Sequence, residues 1–378
     1  MRKIAFCLIN YFPFGGLQRD FIRIARECVR RKFEVHVYTT SWEGDVEPGM
    51  ELHVVPVKGF TNHARAQSFA EQIGQLLSGD DRPLVVGFNK MPHLDLYYAA
   101  DVCYQARIRA SRSCWYRFMP RYRTWVELEA GVFQAGNHTD ILLISSLQQP
   151  DYEACYGTEP NRFHLLPPGI DRDRLAPPTA LQQRESMRKE LGLTDSHVLL
   201  LMVGSGYQTK GLDRAIEGLA SLPSKLRASA QLYVVGKGNA RPYLKLAKKL
   251  GVEQHVHIMG ARKDVPSFLL AADLLCHPSY HENTGTVILE AMAAGLPVLT
   301  TAVCGYAHYV TDAQAGMVLP AKFSQATWNA GLEKMLLLPD RQQLGANGLA
   351  FATVADIYDM PTHAVNLIEQ RARQSDLS

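Results

Sequence analysis

The segment His281-Glu282-Asn283-Thr284-Gly285-Thr286-Val287-Ile288-Leu289-Glu290-Ala291 follows closely on the apolar run Leu274-Leu275-Cys276-His277. The apolar run reads as a short buried strand, and the stretch after Gly285 reads as a helix. A strand that ends in a glycine loop and opens a helix presents backbone N–H groups where an anion can sit. Glu282 then lies in the loop, and Glu290, about two turns further on, faces the same side. Carboxylates accept hydrogen bonds from hydroxyls while the N–H groups hold phosphate. The pairing suits a ligand that is part sugar and part diphosphate. Two glutamates eight residues apart also occur on ordinary solvated helix faces, so the loop context carries the weight.

Outward from this segment, both halves of the chain alternate short β-rich runs with amphipathic stretches, which implies α/β architecture with parallel sheets covered by helices. In the first half the expected strands are 3–9, 34–38, 52–57, 84–88 and 141–144. In the second they are 198–203, 231–235, 255–259, 274–277 and 298–300. Expected helices cover 18–31, 64–77, 212–220, 243–250, 287–293, 325–337 and 361–373. The first of these sets Phe21, Ile22, Ala25 and Val29 on one face and Arg23, Arg26 and Arg30 on another. Leu166-Pro167-Pro168-Gly169-Ile170-Asp171 and Pro177-Pro178 form a stiff linker between the halves.

Two further glycine loops repeat the strand-to-helix pattern. Tyr11-Phe12-Pro13-Phe14-Gly15-Gly16-Leu17-Gln18-Arg19-Asp20 closes the first strand. Paired glycines there allow either a close approach to pyrophosphate or a simple tight turn. The loop is not G-x-G-x-x-G, which weakens a dinucleotide reading. Val203-Gly204-Ser205-Gly206-Tyr207-Gln208-Thr209-Lys210-Gly211 is neither a Walker A loop nor a dinucleotide fingerprint. A lysine at a helix start opposes the helix dipole, which favours a functional role for Lys210, an ammonium on a leaving phosphate. In open parallel sheets ligands bind outside the carboxyl ends of the strands. Loops from both halves are therefore expected to converge on one cleft.

At 378 residues, about two domains are expected. A net charge of +3 excludes a protein that coats polyanions along its whole surface. No apolar run approaches the ~20 residues of a spanning helix. The start Met1-Arg2-Lys3-Ile4-Ala5-Phe6-Cys7-Leu8-Ile9 mimics a signal peptide but lacks a cleavage site, so a first strand is the better reading. The cysteines, seven in number, contain no C-x-x-C, which argues against a disulfide frame or zinc site and for a reducing cytoplasm. Asp171-Arg172-Asp173 matches D-x-D only superficially, lying in the linker, and no catalytic metal is expected.

Between Val102 and Val126 lie Arg107, Arg109, Arg112, Arg117, Arg121 and Arg123, with Tyr104, Trp115, Tyr116, Phe118, Tyr122 and Trp125 interleaved and no acidic residue. Trp115, Phe118, Tyr122 and Trp125 have near-helical spacing, with Pro120 expected to kink or divide the helix. Three readings fit: an anionic membrane interface, a solvated basic face, and nucleic acid. The membrane reading is favoured and no nucleic-acid partner is expected.

Taken together these residues resemble the lipopolysaccharide core glucosyltransferases, a branch of the retaining, metal-independent E-x7-E glycosyltransferases with the two-domain GT-B fold. The resemblance spans nearly the whole chain. It is carried by YFPFGGLQRD (11–20), SWEGD (41–45), Thr61-Asn62-His63, GFNKMP (87–92), AADVC (99–103), LLPPGI (165–170), Lys210-Gly211-Leu212-Asp213-Arg214 and AVCGYAHY (302–309).

The resemblance implies two Rossmann-like domains. Residues 1–168 would face the acceptor and membrane, residues 169–360 would bind the nucleotide sugar, and helix 361–373 would pack back on the first domain. The donor would be a UDP-sugar acting as co-substrate, with no cofactor. UDP-glucose is favoured, and UDP-N-acetylhexosamine stays open because Asn283 and Thr284 are polar. The acceptor would be inner-core heptose of lipopolysaccharide, reached by a peripheral protein on the cytoplasmic face of the inner membrane.

Residue by residue, Gly15, Gly16 and Asp20 would meet the donor diphosphate or sugar, and Lys210 the diphosphate. Glu282 would hold hexose hydroxyls and Glu290 the ribose. Backbone amides of Asn283, Thr284, Gly285, Thr286 and Val287 would hold sugar and phosphate oxygens. Asp101 would face the reacting sugar, and Arg107, Arg109, Arg112, Trp115, Arg117, Arg121 and Arg123 would meet the membrane or acceptor. The family's usual arginine is replaced at Ser205 and Thr209, unless Arg262 or Lys263 reaches in. An acceptor-independent epimerase and a non-catalytic UDP-sugar-binding protein are the competing functions.

Overall fold

The computed structural model describes residues 2–13, 15–79 and 82–375. Met1, and Phe14 of the first glycine loop, lie outside the described residues. Contacts divide the chain into two units, one of residues 1–169 with 359–378 and one of residues 170–358.

The first unit is built on a parallel sheet of β1 Lys3–Cys7, β2 Glu34–Thr39, β3 Met50–Val54, β4 Leu84–Gly87, β5 Leu96–Ala99, β6 Asp140–Leu143 and β7 Phe163–Leu165. Their order is β3-β2-β1-β4-β5-β6-β7. Helix Gly16–Arg30 buries Phe21, Ile22, Ile24, Ala25 and Cys28. Phe21 meets Phe6 and Phe88 edge-on at 5.8 and 5.3 Å. Each such side chain contributes about 1.5–3 kcal/mol on burial. Helix Met360–Ser375 adds Ala364, Val365 and Ile368 to the same core. It is tied to the first helix's end by Arg31, which donates to Asn366 Oδ1 at 2.7 Å.

The second unit repeats the plan with β8 Val198–Val203, β9 Ala230–Val235, β10 Val256–Gly260, β11 Leu274–His277, β12 Val298–Thr301 and β13 Gly316–Leu319, all parallel. The order is β10-β9-β8-β11-β12-β13. In both sheets the order runs outward in opposite directions from the first strand and its later neighbour, so each unit has a topological switch point. It lies between β1 and β4 in the first unit and between β8 and β11 in the second.

Three strands of the two large sheets escape the sequence reading, as does the small parallel pair Asn10–Tyr11 and Ser41–Trp42. Leu96–Ala99 is four residues buried on every side, with no alternation to mark it. Phe163–Leu165 and Gly316–Leu319 are short outer strands. The third strand is Met50–Val54, whereas 52–57 was expected, because pairing with β2 sets its register. Helix Ala180–Glu190 was also missed: it buries only Met187 and Arg188, too little for a visible apolar stripe. Pro120 divides the arginine-aromatic segment by occupying the first turn of helix Pro120–Phe133, after helix Tyr104–Ser111 and a 3-10 turn at Cys114–Phe118.

Candidate functional site

In the second unit the two loops of interest leave neighbouring strands at the switch point. Strand β8 runs into Gly204–Gly206, then a single helical turn Tyr207–Lys210, then helix Leu212–Ser221. Strand β11 runs through Pro278–Gly285 into helix Thr286–Ala293. Tyr280 N donates to Thr209 O at 2.8 Å, which stitches the loops together. Gly211 has φ +75°, and a Cβ there would lie 2.2 Å from Pro278 O, so no side chain is tolerated at this crossing. Gly204 provides similar room, since its Cβ would meet Cε of Lys210 at 2.8 Å.

The crossing brings Lys210 onto Glu282, and the two form an ion pair with little solvent access. Lys210 ends the one-turn helix Tyr207–Lys210 and, next to the cap Gly211, directly precedes helix Leu212–Ser221, the helix start that was expected; the contact with Glu282 is what the structure adds. Beneath the pair lies His277, fully buried, with Nε2 3.5 Å from Glu282 Oε2 and 3.1 Å from Ser279 Oγ. Burial pushes the Glu282 carboxyl up, but His277 and Lys210 outweigh it and hold the group down at about 2. For His277, burial disfavours the imidazolium, yet the Cys304 and Glu282 side chains prevail and its pKa is raised. Glu282 is thus ionised across the physiological range.

The loop Glu282–Gly285 is clamped from the side by the 302–309 segment. Glu282 and Cys304 form an isolated parallel bridge, and Tyr306 N donates to Thr284 O at 2.8 Å. This places Asn283, Thr284 and Gly285 at the mouth of helix Thr286–Ala293, whose first N–H groups have no acceptor within the helix. Val287 is buried in the first turn, and Glu290 is buried one turn beyond Thr286. Arg174 Nε stands 3.9 Å from Glu290 Oε1. Ser205 is exposed, and its Oγ accepts from Lys237 N at 3.1 Å. Arg262 pairs with Asp264 at 2.6 Å and Glu190 at 3.4 Å.

In the first unit Gly15 caps helix Gly16–Arg30, and Asp20 one turn in accepts from Tyr98 OH at 2.9 Å. Tyr98 lies in β5, and Asp101 follows two residues after that strand ends, exposed, with Tyr152 OH donating to its backbone oxygen at 2.8 Å. Gly15, Gly16 and Asp20 are grouped at the end of β1, and Asp101 at the end of β5.

All six arginines of the 102–126 segment are exposed, as are Trp115 and Phe118. Tyr122 instead turns inward and Trp125 packs against the core, so the expected aromatic stripe splits into an outer pair and an inner pair. The segment is anchored by Glu129, which is fully buried. Its carboxylate accepts from Tyr104 N at 2.8 Å, Gln105 N at 3.0 Å, Tyr156 OH at 2.6 Å and Lys90 Nζ at 2.5 Å.

His277, Arg174, Cys304, Tyr306 and Glu129 were not assigned roles from sequence. Cys304 and Tyr306 were visible as part of AVCGYAHY, but their clamp on the Glu282 loop depends on strands β11 and β12 lying side by side.

Residues 183–350 match the model of the family described as glycosyl transferases group 1. The chain is similar to the lipopolysaccharide glucosyltransferase WaaG of Escherichia coli K12, with 46% identity over 97% of this chain and 98% of that protein. The crystal structure of WaaG, described as a glycosyltransferase involved in lipopolysaccharide biosynthesis, superposes with a TM-score of 0.89 over 97% of this chain and 99% of that one, at 46% identity. Anabaena HepE, solved with UDP and glucose, has the same fold at 18% identity, with a TM-score of 0.73 over 98% of this chain and all of that one.

Proposed function

The chain belongs to the WaaG-like family of GT-B glycosyltransferases, and from that membership we propose that it moves a hexose from a UDP-sugar, UDP-glucose first, to inner-core heptose of lipopolysaccharide with retention of configuration. The observation that carries the donor reading is the Lys210–Glu282 pair at the switch point of the second unit, beside a helix N-terminus. Lys210 and Glu282 neutralise one another until a donor arrives. A diphosphate then takes the ammonium of Lys210 and the N–H groups at the start of helix Thr286–Ala293. Glu282, still ionised, turns its oxygens to hexose hydroxyls. Glu290 accepts from the ribose hydroxyls, with Arg174 balancing its charge.

Reaction breaks the bond from the anomeric carbon to the β-phosphate oxygen and forms one to the heptose oxygen on the same face. The heptose proton passes to the departing phosphate oxygen. Lys210 and the backbone N–H groups stabilise the charge that develops on the diphosphate, and Glu282 fixes the sugar ring during the step. In the first unit, Gly15, Gly16 and Asp20 are assigned to the donor, and Asp101 to orienting the sugar or stabilising its positive charge. The exposed arginines and Trp115 are assigned to an anionic membrane surface at the cytoplasmic face of the inner membrane.

The test is incubation with labelled UDP-glucose and UDP-N-acetylglucosamine, each with heptose-terminated core lipopolysaccharide and without added divalent metal. Transfer of glucose is expected. Conversion of donor without acceptor would indicate an epimerase, and binding without turnover a binding protein.

A further inference from the structure

At the outer edge of the first sheet, away from the switch point, Glu34, His36 and Tyr38 alternate along one face of β2. The register pairs His36 with Glu51 and Tyr38 with His53 on β3. Three ligand-type atoms meet there. His36 Nδ1 lies 3.0 Å from His53 Nε2, and Glu51 reaches them through its two oxygens, Oε2 at 3.5 Å from His36 Nδ1 and Oε1 at 3.5 Å from His53 Nε2. A tetrahedral Zn2+ with bonds near 2.0–2.1 Å needs donor atoms about 3.3 Å apart. The two imidazole nitrogens and the Glu51 carboxylate are close to that spacing, with one donor atom from each residue within 4.8 Å of the others, so a small turn of the exposed carboxylate completes one face of such a tetrahedron.

The surroundings favour a metal over a shared proton. His36 Nε2 is 3.0 Å from Glu34 Oε1, so that carboxylate holds the ring proton on Nε2 and leaves the Nδ1 lone pair directed at the triangle. The His53 ring stacks on Tyr38 at 4.5 Å and 16° between planes, which fixes its orientation. The side chain of His36 is 13% exposed, whereas Glu51 is 65% exposed. The triangle is therefore seated on the sheet on one side and open to water on the other, which leaves a fourth coordination position for solvent. The ligands come from two strands and are separated by up to 17 residues in sequence. A search for closely spaced cysteines does not find them.

We propose that His36, Glu51 and His53 form a Zn2+ site, with Glu34 orienting His36, and that the metal fastens the outer strand β3 to β2. The site lies on the outer strands of the first sheet, away from that unit's switch point. The test titrates zinc sulfate into the full-length, chelator-stripped protein, reading stoichiometry and affinity by competition with a chromophoric chelator. One Zn2+ per chain is expected. Glu51→Gln, an exposed change expected to leave the circular dichroism spectrum unchanged, should weaken binding at least tenfold, as should His53→Ala. Glu34→Gln should weaken it about 10–100-fold through loss of the support on His36. Cobalt substitution should give tetrahedral d–d bands without thiolate charge-transfer absorption, which separates this site from one formed at exposed Cys114. Absence of stoichiometric binding, or equal affinity in wild type and Glu51→Gln, would overturn the proposal and leave the two imidazoles sharing a proton.

Discussion

Glu282 is held in its charged form by Lys210 in the loop above and His277 in the strand below. Its carboxyl titrates near 2, below the ordinary value of 4.5, so its contribution to stability is complete above 4.5 and is lost as pH falls towards 2. His277 is raised above 6.5, so its contribution is complete below 6.5 and is lost as pH rises through the raised value. His277→Gln should therefore lift the acid-unfolding midpoint and remove the fall in stability above pH 6.5, with about 1–3 kcal/mol lost at neutral pH. Urea titrations across the pH range check this; superimposable curves for the two proteins would refute it. Glu282, Glu290 and Lys210 were legible because a glycine loop after an apolar run is a local pattern. His277 and Arg174 were not. One looks like any member of a buried run and the other like a linker residue, and each becomes part of the site only when distant segments pack together.

The arginine-aromatic segment is two helices and a 3-10 turn held by one buried carboxylate. Glu129 receives the first N–H groups of helix Tyr104–Ser111, where negative charge is favoured, and neutralises Lys90. Burial raises the Glu129 carboxyl, but Lys90 overcomes this and its pKa is lowered. Glu129→Ala would strand a buried ammonium and should destabilise the protein by roughly 3–5 kcal/mol. Lys90→Met with Glu129→Leu should recover only part of that, because the Tyr104 and Gln105 N–H groups and Tyr156 OH lose their acceptor as well. Chemical denaturation reads both. Arg117, Arg121 and Arg123, all exposed, should affect a different property. Replacing them with Ser should leave thermal stability near wild type and weaken binding to anionic vesicles at low salt by roughly 1 kcal/mol per residue. Co-sedimentation measures this. The arginines and Pro120 announced the segment in sequence. Glu129 did not, since a glutamate in a helical stretch gives no local sign that it will be buried among four donors.

Both units place their glycine loops at a switch point because both sheets have the same strand order. That order was legible in outline from alternating strands and helices. Leu96–Ala99 was missed although it is central, because a strand buried on both faces lacks alternation. The glycosyltransferase account rests most heavily on the donor site of the second unit. Calorimetric titration of UDP-glucose into wild type, Lys210→Ala and Glu290→Ala tests it most directly. Each substitution removes a charged hydrogen-bond partner worth about 1.5–3 kcal/mol, so affinity should fall roughly 10–150-fold with the circular dichroism spectrum unchanged. Equal affinity in all three proteins would contradict the account and place the nucleotide elsewhere.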